Sequence, residues 1–530
     1  METSLLHRLQ FLATSERANH LALVCDGTEY SYSQLWKKIQ CLAAEMLQNG
    51  LVKGQRVVIC CGNSQETVCG FWATLLAGGC ACIISDEQPV SKIKYVIEDS
   101  GATILITHAS IVEKLGDVYL SNNVNLVEVL ITKTGLKEGK SPGTKKLQLI
   151  AALSPENHQI NTPIISQDLA AIIYTSGSTG EPNGVMLSHR NMICARDSLN
   201  EYLGNKAEDV FANALPLSFD YGLYQMIMAH SIGATLVLEK NLIWPLELMK
   251  NIAHYKATVP PAVPVLVDLF EQFSSINKYS LESIRYVSNT GAALNGKHFS
   301  TMQRLFPQAK IFSMFGLTEC KRCTYLPPQD LERKTGSVGL AIPNTEICVV
   351  DDEDKLCGPN EVGQLVVRGE TVMQGYWNKP EATAKKIRPH PIHGDRCLYS
   401  GDYGYLDEEG YFYFKGRMDH ALKVRGRKLI PKEIEDVIQT FDGVREVAIL
   451  GLEQENSPTK IICFITLDKT KFHLNDVIGQ TKKSLESFQV PTDFIVLPSM
   501  PRNLNGKIDL PALKADYLAK SQKSEALEAS

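Results

Sequence analysis

Short apolar runs that alternate with helical patterns constrain the fold of this chain more than any other feature. Examples lie at Arg56–Cys60, Ala102–Thr107, Ala170–Tyr174 and Ala234–Leu238. Runs of this length and composition are typical of strands buried in a parallel sheet, and the longer segments between them are typical of crossover helices. The sequence therefore predicts an α/β fold in which mixed or parallel sheets are flanked by helices.

The pattern changes towards the C-terminus. We expect short aromatic strands around Gly410–Phe414, a helix with proline in its first turn at Pro431–Ile438, and strands at Glu446–Leu450 and Ile461–Leu467. This compact α+β pattern predicts a small C-terminal domain in addition to a large N-terminal one. A chain of 530 residues is also too long for a single hydrophobic core.

Charge and cysteine content narrow the class of protein. A net charge of -5 argues against nucleic acid as the main partner, because phosphate binding needs a basic surface. The 14 cysteines are too sparse and irregular for a disulfide scaffold, so we expect reduced, buried thiols. Cys320 and Cys323 have the spacing of zinc ligands, but no second pair is placed to complete a tetrahedral site.

One uncharged stretch, Thr67–Ser85, is nominally long enough to suggest a membrane span. Gly78 and Gly79 interrupt it, so a core helix followed by a buried strand explains it better. The N-terminus lacks the long apolar core of a signal peptide. We therefore expect a soluble, cytoplasmic protein without a membrane partner.

The loop Tyr174–Gly184 directly follows a predicted buried strand and is rich in glycine and hydroxyl residues. Such glycines let the backbone turn and point successive N–H groups at an anion, while the hydroxyls add donors, a composition that suits polyphosphate. The loop does not match a Walker A motif, and Ser176 stands where a hydrolase nucleophile elbow needs its first glycine. Taken alone, the segment also fits an ordinary Ser/Gly turn.

The segment Phe315–Glu319 follows the strand-like Lys310–Met314. Its glutamate suits Mg²⁺ as a hard oxygen ligand, while Thr318 suits a phosphate and Phe315 a nucleotide base. This segment alone also fits a surface turn.

Three other candidates follow along the chain. Asp402 can accept hydrogen bonds from both hydroxyls of a ribose, Arg417 adds a cation near the predicted domain boundary, and Lys507 is a lone lysine on a turn. Each alone also fits a solvated surface charge, so their assignment depends on the order and spacing of all these segments together.

In that order and spacing, the motifs resemble those of the acyl-adenylate-forming superfamily. This superfamily comprises acyl-CoA synthetases, firefly-type luciferases and the adenylation domains of nonribosomal peptide synthetases. The resemblance runs from Tyr30–Leu35 to Lys507 and includes Gly363–Gly369 and the basic run Gly416–Arg427. It implies an AMP-forming acid–thiol ligase that uses ATP and Mg²⁺. It also implies an N-terminal core over residues 1–417, a hinge at 418–419 and a mobile C-terminal lid domain over 420–530.

The resemblance implies roles for the matching residues. ATP would be bound by Thr175, Ser176, Gly177, Ser178, Thr179, Gly180, Gly291, Ala292, Ala293, Met314, Phe315, Gly316, Asp402 and Arg417. Glu319 would hold Mg²⁺, and Thr318 and Glu319 would act in catalysis together with Lys507. Lys507 would bridge the substrate carboxylate and the α-phosphate as charge develops.

Domain rotation is also implied. Rotation about the hinge residue Asp419 would withdraw Lys507 and bring the loop around Lys423 and Arg425 towards the incoming thiol.

Two positions depart from the family pattern. Asn183 stands where the family usually has lysine, which removes one cation near the phosphates, and Phe315 replaces the usual tyrosine. We expect activity to survive both changes, because Lys507 and Glu319 remain.

The segment Leu215–Gln225 bears on the choice of acid. In amino-acid-activating relatives an aspartate at the position of Asp220 pairs with the substrate's α-amino group, and a buried ammonium needs such a partner. Some fatty-acyl relatives carry an aspartate beside a histidine here. This chain has Phe219 in place of that histidine, which favours an amino acid.

The segment resembles freestanding prolyl-adenylating enzymes that load a separate carrier protein, such as those of anatoxin-type biosynthesis. The resemblance predicts a pocket wall of Asp220, Tyr221, Tyr224, Ser288, Asn289, Thr290, Met314 and Cys323. It implies activation of L-proline, release of pyrophosphate and transfer to the phosphopantetheine of a carrier protein in trans, since little sequence follows Lys507. The alternatives are an acyl- or aryl-CoA ligase or fatty acyl-AMP ligase of the same fold, and a non-catalytic nucleotide-binding sensor.

Overall fold

The structure is a computed structural model of the 530-residue chain. It describes residues 2–123, 125–126, 128–131, 146–149, 160–175, 182–240, 245–272, 279–291, 296–418, 422–424, 427–454, 457–468, 473–502 and 508–528. The chain divides into a larger unit, Met1–Ile347 with Val366–Tyr399, and a smaller unit, Cys348–Leu365 with Ser400–Ser530. The hinge expected at residues 418–419 stays a prediction.

Helices and strands alternate along most of the chain. The helices are α1 (His7–Thr14), α2 (Tyr32–Gln48), α3 (Gln65–Leu76), α4 (Val90–Ser100), α5 (Ala109–Leu115), α6 (Asp117–Asn122), α7 (His189–Leu203), α8 (Asp220–Ile232), α9 (Pro245–His254), α10 (Pro264–Gln272), α11 (Gly296–Leu305), α12 (Pro380–Lys386), α13 (Pro431–Gln439), α14 (Leu474–Ser484) and α15 (Leu510–Glu528).

The strands that lie entirely before the end of the larger unit's first segment, at Ile347, are β1 (Leu21–Cys25), β2 (Thr28–Ser31), β3 (Arg56–Cys60), β4 (Cys80–Ile83), β5 (Ile104–Thr107), β6 (Glu128–Ile131), β7 (Lys146–Leu149), β8 (Leu169–Thr175), β9 (Asn183–Ser188), β10 (Val210–Asn213), β11 (Thr235–Leu238), β12 (Pro261–Ala262), β13 (Tyr286–Asn289), β14 (Lys310–Phe315), β15 (Thr324–Leu326) and β16 (Leu340–Ala341). The remaining strands are β17 (Thr345–Val350), β18 (Gly363–Gly369), β19 (Gly375–Tyr376), β20 (Ile387–Pro389), β21 (Arg396–Leu406), β22 (Phe412–Arg417), β23 (Leu422–Val424), β24 (Arg427–Leu429), β25 (Val444–Gln454), β26 (Ser457–Leu467) and β27 (Asp493–Val496).

The largest sheet of the larger unit has 8 strands in the order β19-β9-β8-β4-β3-β5-β6-β7. Strands β3 to β8 of this sheet pair in parallel, whereas β9 pairs antiparallel with both β8 and β19. The α/β prediction with mixed sheets is therefore confirmed. The four apolar runs named from the sequence form β3, β5, β8 and β11, because they are apolar enough to be buried on both faces of a sheet.

Two smaller sheets also lie in the larger unit. One has the order β10-β11-β1-β2, and the other has the order β12-β13-β14-β15-β16. In the second sheet β13 and β14 are parallel, and β14 and β15 are antiparallel neighbours joined by a short loop. The ends of β13 and β14 therefore lie side by side.

The uncharged stretch forms α3 and β4, as predicted. Every residue of α3 from Thr67 to Leu76 is buried, which is expected of a helix that is apolar on all sides. Within the described part of the chain, no helix is long and apolar enough to cross a membrane.

The smaller unit contains a three-stranded sheet in the order β25-β26-β27. Its central strand alternates between two apolar clusters. Ile461, Cys463 and Ile465 pack in one cluster, and Ile462 and Phe464 pack in the other. Helix α13 begins with Pro431, as predicted, because proline at the first helical position needs no hydrogen-bond donor.

A buried histidine joins three elements of the larger unit. The indole Nε1 of Trp72 on α3 donates to Nδ1 of His230 on α8 at 3.1 Å, and His230 Nε2 donates to the carbonyl of Ala22 on β1 at 3.2 Å. Because one ring nitrogen accepts and the other donates, this arrangement needs the neutral imidazole. Burial lowers the pKa of His230 to about 4.

We therefore expect the larger unit to lose stability in mild acid. The pKa of His230 lies below its ordinary value of 6.5, so the unfolded chain takes up the proton first. The stability that the neutral ring provides is present above pH 6.5 and is lost as the pH falls towards 4. Between pH 7 and pH 5 the loss from this residue is about 2 kcal/mol.

The measurement is urea denaturation followed by tryptophan fluorescence, since the described tryptophans, Trp36, Trp72 and Trp377, lie in the larger unit. The variant His230→Gln, which retains a donor and an acceptor, should show about 2 kcal/mol less dependence on pH over this range. Substitution of the exposed His7 by Gln is the matched control. Equal pH dependence in wild type and His230→Gln would contradict the prediction.

Candidate functional site

Asp220 is the first residue of α8 and is buried. The segment before it is fixed by the buried amide of Asn63. The Nδ2 of Asn63 donates to the carbonyls of Leu215 and Glu239 at 3.0 and 2.8 Å, and its Oδ1 accepts from Leu217 N at 2.8 Å. Three backbone groups are thereby satisfied away from water. The position of Asp220 therefore depends on a residue that follows β3, far away in the sequence.

The loop between β14 and β15 carries the motif that contains Glu319. The loop is closed by Cys323 N, which donates to Phe315 O at 2.9 Å. Lys321 has a φ of 65°, in the left-handed region that non-glycine residues rarely adopt. A Cβ on Gly316 would lie 2.4 Å from the carbonyl oxygen of Lys321, so no side chain fits there. This tight turn leaves Thr318 and Glu319 partly exposed and buries the basic residues Lys321 and Arg322.

The two basic residues reach the Asp220 carboxylate. Lys321 Nζ donates to the backbone oxygen of Asp220 at 2.6 Å and to its Oδ2 at 3.1 Å. Arg322 Nη1 lies 3.7 Å from the same Oδ2. The Lys321 and Arg322 side chains are each 3% exposed and that of Asp220 is 8% exposed. One buried carboxylate thus faces two basic groups of the protein itself.

Burial is the main influence on the titration of Lys321. It lowers the pKa of the Lys321 ammonium well below its usual range, and the neighbouring Arg322 lowers it further. The Asp220 carboxylate raises this pKa but does not offset the cost of desolvation.

Two tyrosines of α8 complete this cluster. Lys321 Nζ lies 3.9 Å from the ring centroid of Tyr224, and Arg322 Cζ lies 5.1 Å from that of Tyr221, within the range of cation–π interactions. The Tyr221 hydroxyl donates to Ser288 O at 2.6 Å. The predicted pocket residues Asp220, Tyr221, Tyr224 and Ser288 are therefore close together. A cavity of about 10 Å³ adjoins Asp220, which is space for about one water.

A short backbone strip, Asn289–Gly291, begins at the end of β13 and contains predicted pocket and ATP-binding residues. Asn289 Nδ2 donates to Ala262 O at 3.2 Å. The buried Thr290 Oγ1 has no hydrogen-bond partner among the residues that the structure describes. Gly291 has a φ of 85°, and a Cβ there would lie 3.3 Å from the Phe219 ring. The strip therefore passes next to the residue that precedes Asp220.

Met314 and Cys323 are the remaining predicted pocket residues, and both are buried. The Tyr202 hydroxyl lies 2.8 Å from the Met314 sulfur, and the Sγ atoms of Cys323 and Cys320 lie 3.2 Å apart. All 14 cysteines lie in the described part of the chain as free thiols, and most are buried, which confirms that expectation.

Glu319 is fixed by residues around β19. The Tyr376 hydroxyl donates to Glu319 Oε1 at 2.7 Å, and Met373 N donates to Glu319 O at 2.7 Å. Among the described residues, no lysine or arginine forms an ion pair with this carboxylate. Its partly exposed oxygens are of the kind that Mg²⁺ prefers.

The predicted ribose-binding pair lies within the smaller unit. Asp402 and Arg417 are opposite each other on β21 and β22, and Arg417 Nε lies 3.7 Å from Asp402 Oδ1. Asp402 is buried, and its backbone N donates to Ser400 Oγ at 3.0 Å. Asp402 and Arg417 are 15 positions apart in the sequence, and the hairpin of β21 and β22 brings them together.

A lysine from outside the phosphate motif reaches Asn183, the residue that departs from the family pattern. Lys379 Nζ donates to Asn183 Oδ1 at 2.9 Å and to Pro182 O at 3.0 Å. Thr175 ends β8 and is opposite Asn183 in the register of β8 and β9. A basic side chain is therefore present at the position where the sequence alone indicated that a cation was missing.

Several predicted site residues lie outside the described residues. These are Ser176, Gly177, Ser178, Thr179, Gly180, Ala292, Ala293, Asp419, Arg425 and Lys507.

Sequence reasoning missed Lys321, Arg322 and Lys379 as parts of the site. Lys321 and Arg322 directly follow Glu319 and Cys320, so two basic residues between predicted buried cysteines were a usable signal. Lys379 gave no comparable signal, because it precedes a helix and looks like an ordinary exposed lysine.

The fold and these residues agree with one known family. The AMP-binding enzyme family matches residues 12–377, and the AMP-binding enzyme C-terminal domain matches residues 433–507. The chain therefore belongs to the AMP-binding enzyme family, within the acyl-adenylate-forming superfamily.

Relatives of two kinds are similar to almost the whole chain. Gramicidin S synthase 1 of Brevibacillus brevis is 27% identical over 512 residues, which are 95% of this chain and 44% of that protein. Tyrocidine synthase 2 of Brevibacillus parabrevis is 29% identical over 93% of this chain and 13% of that protein. This chain thus spans less than half the length of both. The long-chain-fatty-acid–CoA ligase of Salmonella typhimurium is 26% identical over 94% of this chain and 91% of its own.

Solved structures share the fold. An ATP-bound RpMatB-BxBclM chimera has a TM-score of 0.86 and 26% identity, and the match covers 98% of this chain and 99% of that one. ATP-bound MatB from Rhodopseudomonas palustris has a TM-score of 0.84 and 24% identity over the same shares of the two chains.

We expect Asn63→Ala to destabilise the larger unit and displace the segment before Asp220. The change removes the partners of two buried backbone groups and of the partly buried Glu239 carbonyl, so the free energy of unfolding should fall by about 2–3 kcal/mol. Urea denaturation followed by tryptophan fluorescence measures it. Substitution of the exposed Asn19 by Ala is the control and should have no effect. Equal stability of Asn63→Ala and wild type would contradict the structural role of Asn63.

Proposed function

We propose that this protein is an AMP-forming ligase that activates a carboxylic acid with ATP and transfers the acyl group to a thiol. In the first step a carboxylate oxygen bonds to the α-phosphorus as the bond to the β-phosphate oxygen breaks and pyrophosphate leaves. In the second step a thiolate bonds to the acyl carbon and AMP leaves. Membership of the AMP-binding enzyme family supports this proposal, as do relatives named as peptide synthases and as an acyl-CoA ligase.

The residues present suit Mg²⁺ and ATP. Glu319 presents partly exposed carboxylate oxygens that are held in place by Tyr376, and a bound Mg²⁺ would neutralise phosphate charge there. The neighbouring Thr318 lies on the same loop and can donate to a phosphate oxygen. Asp402 and Arg417, in the smaller unit, form a pair that is suited to ribose hydroxyls. Lys507 is assigned to charge stabilisation at the α-phosphate by family resemblance.

The acid is, in our proposal, a small amino acid with L-proline as the first candidate. The observation that carries this is the buried Asp220 carboxylate at the start of α8, walled by Tyr221 and Tyr224. A carboxylate in such surroundings is a partner for a substrate ammonium, which would otherwise lose its hydration without compensation. In this proposal the acceptor is the phosphopantetheine thiol of a carrier protein, which the peptide-synthase relatives favour over coenzyme A.

An acyl- or aryl-CoA ligase is the second candidate. Lys321 and Arg322 already face Asp220, so the carboxylate also has counter-charges without a substrate amine. The Salmonella typhimurium ligase, which matches along 91% of its own length, also favours this candidate.

Exchange of labelled pyrophosphate into ATP separates the candidates. We expect strong exchange with L-proline, little with glycine or hexanoate, and none in the Lys507→Ala variant. Asp220→Ala should lower kcat/KM for proline by about a hundredfold or more, because a buried ammonium loses its charged partner.

Other outcomes of this assay have distinct meanings. Exchange with hexanoate or an aromatic acid alone, retained in Asp220→Ala, would identify the CoA-ligase candidate. The absence of exchange with every acid, together with measurable ATP binding, would identify a nucleotide-binding sensor.

We expect Lys379 to supply the cation that Asn183 does not. Lys379→Met should raise the KM for MgATP by about tenfold, the effect of one charged hydrogen bond to phosphate. Adding Asn183→Lys to Lys379→Met returns a lysine to the family's position and should restore most of the loss. The exposed Lys355→Met is a control in the smaller unit. An unchanged KM in Lys379→Met, or failure of the double variant to recover, would contradict this role.

A further inference from the structure

We propose that Lys321 sets the selectivity of the pocket for amines by competing with the substrate ammonium for the Asp220 carboxylate. This inference rests on the proposed use of Asp220 in substrate recognition. It makes Lys321 a specificity-determining residue, in addition to the residues that the family resemblance implies.

The position of Lys321 Nζ carries the argument. It donates to the backbone oxygen and the carboxylate of Asp220 at 2.6 and 3.1 Å, and it lies over the Tyr224 ring. A carboxylate, a carbonyl oxygen and an aromatic face are the groups that recognise an ammonium ion. The side chain of Lys321 therefore occupies the place in which a substrate ammonium would find its partners.

The backbone of Lys321 is built to hold this side chain in place. Its φ of 65° is unusual for a residue with a Cβ. Its carbonyl oxygen packs so closely against Gly316 that no side chain fits at position 316. The turn also buries Arg322 beside the same carboxylate. The backbone of the loop between β14 and β15 thus directs the Lys321 side chain towards Asp220.

Hydrogen-bond geometry and charge prevent the Lys321 amine and a substrate ammonium from sharing the Asp220 carboxylate. Lys321 Nζ already lies within hydrogen-bond distance of both Asp220 Oδ2 and the Asp220 backbone oxygen, which are the acceptors that a substrate ammonium would use. A substrate ammonium, Lys321 and Arg322 would also place three basic groups against one buried carboxylate. Like charges this close in a buried site repel strongly. A substrate amine therefore binds Asp220 only when it replaces Lys321 Nζ.

This exchange has a consequence for selectivity. While the pocket holds no acid, Lys321 keeps the buried carboxylate paired, which avoids the cost of an isolated charge. An amino acid gives up part of its interaction with Asp220 to displace Lys321. An acid without an amine has no group that can replace Lys321 Nζ beside Asp220, so Lys321 keeps its contacts with this carboxylate. Lys321 therefore lowers the preference for amino acids that Asp220 creates.

The test compares L-proline with cyclopentanecarboxylate, a ring of the same size without the nitrogen. Pyrophosphate exchange gives kcat/KM for each acid in wild type and in Lys321→Met, whose side chain has a similar length and no donor. We expect the proline-to-cyclopentanecarboxylate ratio to rise by about ten- to a hundredfold in Lys321→Met, as one charged competitor is removed. In Asp220→Asn the ratio should fall to about 1.

Stability is measured on the same variants. Lys321→Met leaves Asp220 with fewer partners and should lower the midpoint of urea denaturation, and L-proline should restore this midpoint more than cyclopentanecarboxylate does. If Lys321→Met does not fold, Lys321→Gln replaces it, since the shorter neutral amide can still donate to the Asp220 carbonyl. The double variant Asp220→Asn/Lys321→Met controls for packing, and its ratio should equal that of Asp220→Asn.

The outcomes separate this inference from the proposed function. An unchanged or lower ratio in Lys321→Met, or equal losses for both acids, overturns the competition. If wild type activates cyclopentanecarboxylate and not proline, the proposed amino-acid function fails. A gain of proline activation in Lys321→Met would still support the role of Lys321 in that case.

Discussion

The buried ion pair between Asp220 and Lys321 is the interaction on which the described site depends. It joins the first residue of α8 to the loop between β14 and β15, two segments that are about 100 residues apart in the chain. Neither charge can be left alone away from water without a large desolvation cost. The pair therefore fixes the start of α8 and the loop that carries Glu319 relative to each other. In the proposed competition, a substrate amine reaches the Asp220 carboxylate only by displacing Lys321 Nζ.

The tight geometry of this loop places residues with two different proposed roles next to each other. Gly316 permits the chain to fold back on itself, so Thr318 and Glu319 remain partly exposed while Lys321 and Arg322 turn inward. Tyr376 holds Glu319 from one side, and Asp220 holds Lys321 from the other. The residues suited to phosphate and magnesium are thus only two to four positions from those that contact the proposed amine-binding carboxylate.

Much of the fold follows from local patterns. The apolar runs that form β3, β5, β8 and β11 are long and branched enough to specify buried strands, and Pro431 marks the start of α13. The pairing of Asp402 with Arg417 is also close to local, because β21 and β22 are neighbours in sequence. Contacts between distant segments were not predictable in this way. Asn63 holds the segment before Asp220, and Lys379 reaches Asn183, although neither residue has a distinctive sequence context.

The sequence by itself determined the α/β class, the order of the motifs and the membership of an acyl-adenylate-forming superfamily. These depend on hydrophobic periodicity and on short runs of glycine, hydroxyl and acidic residues, which act over a few positions. Which basic side chain pairs with which carboxylate, such as Lys321 with Asp220, could be learned only from the tertiary structure. Asp220 was identified from its local context, but its partner Lys321 was not, because the energy of a buried charge depends on what the whole fold places around it.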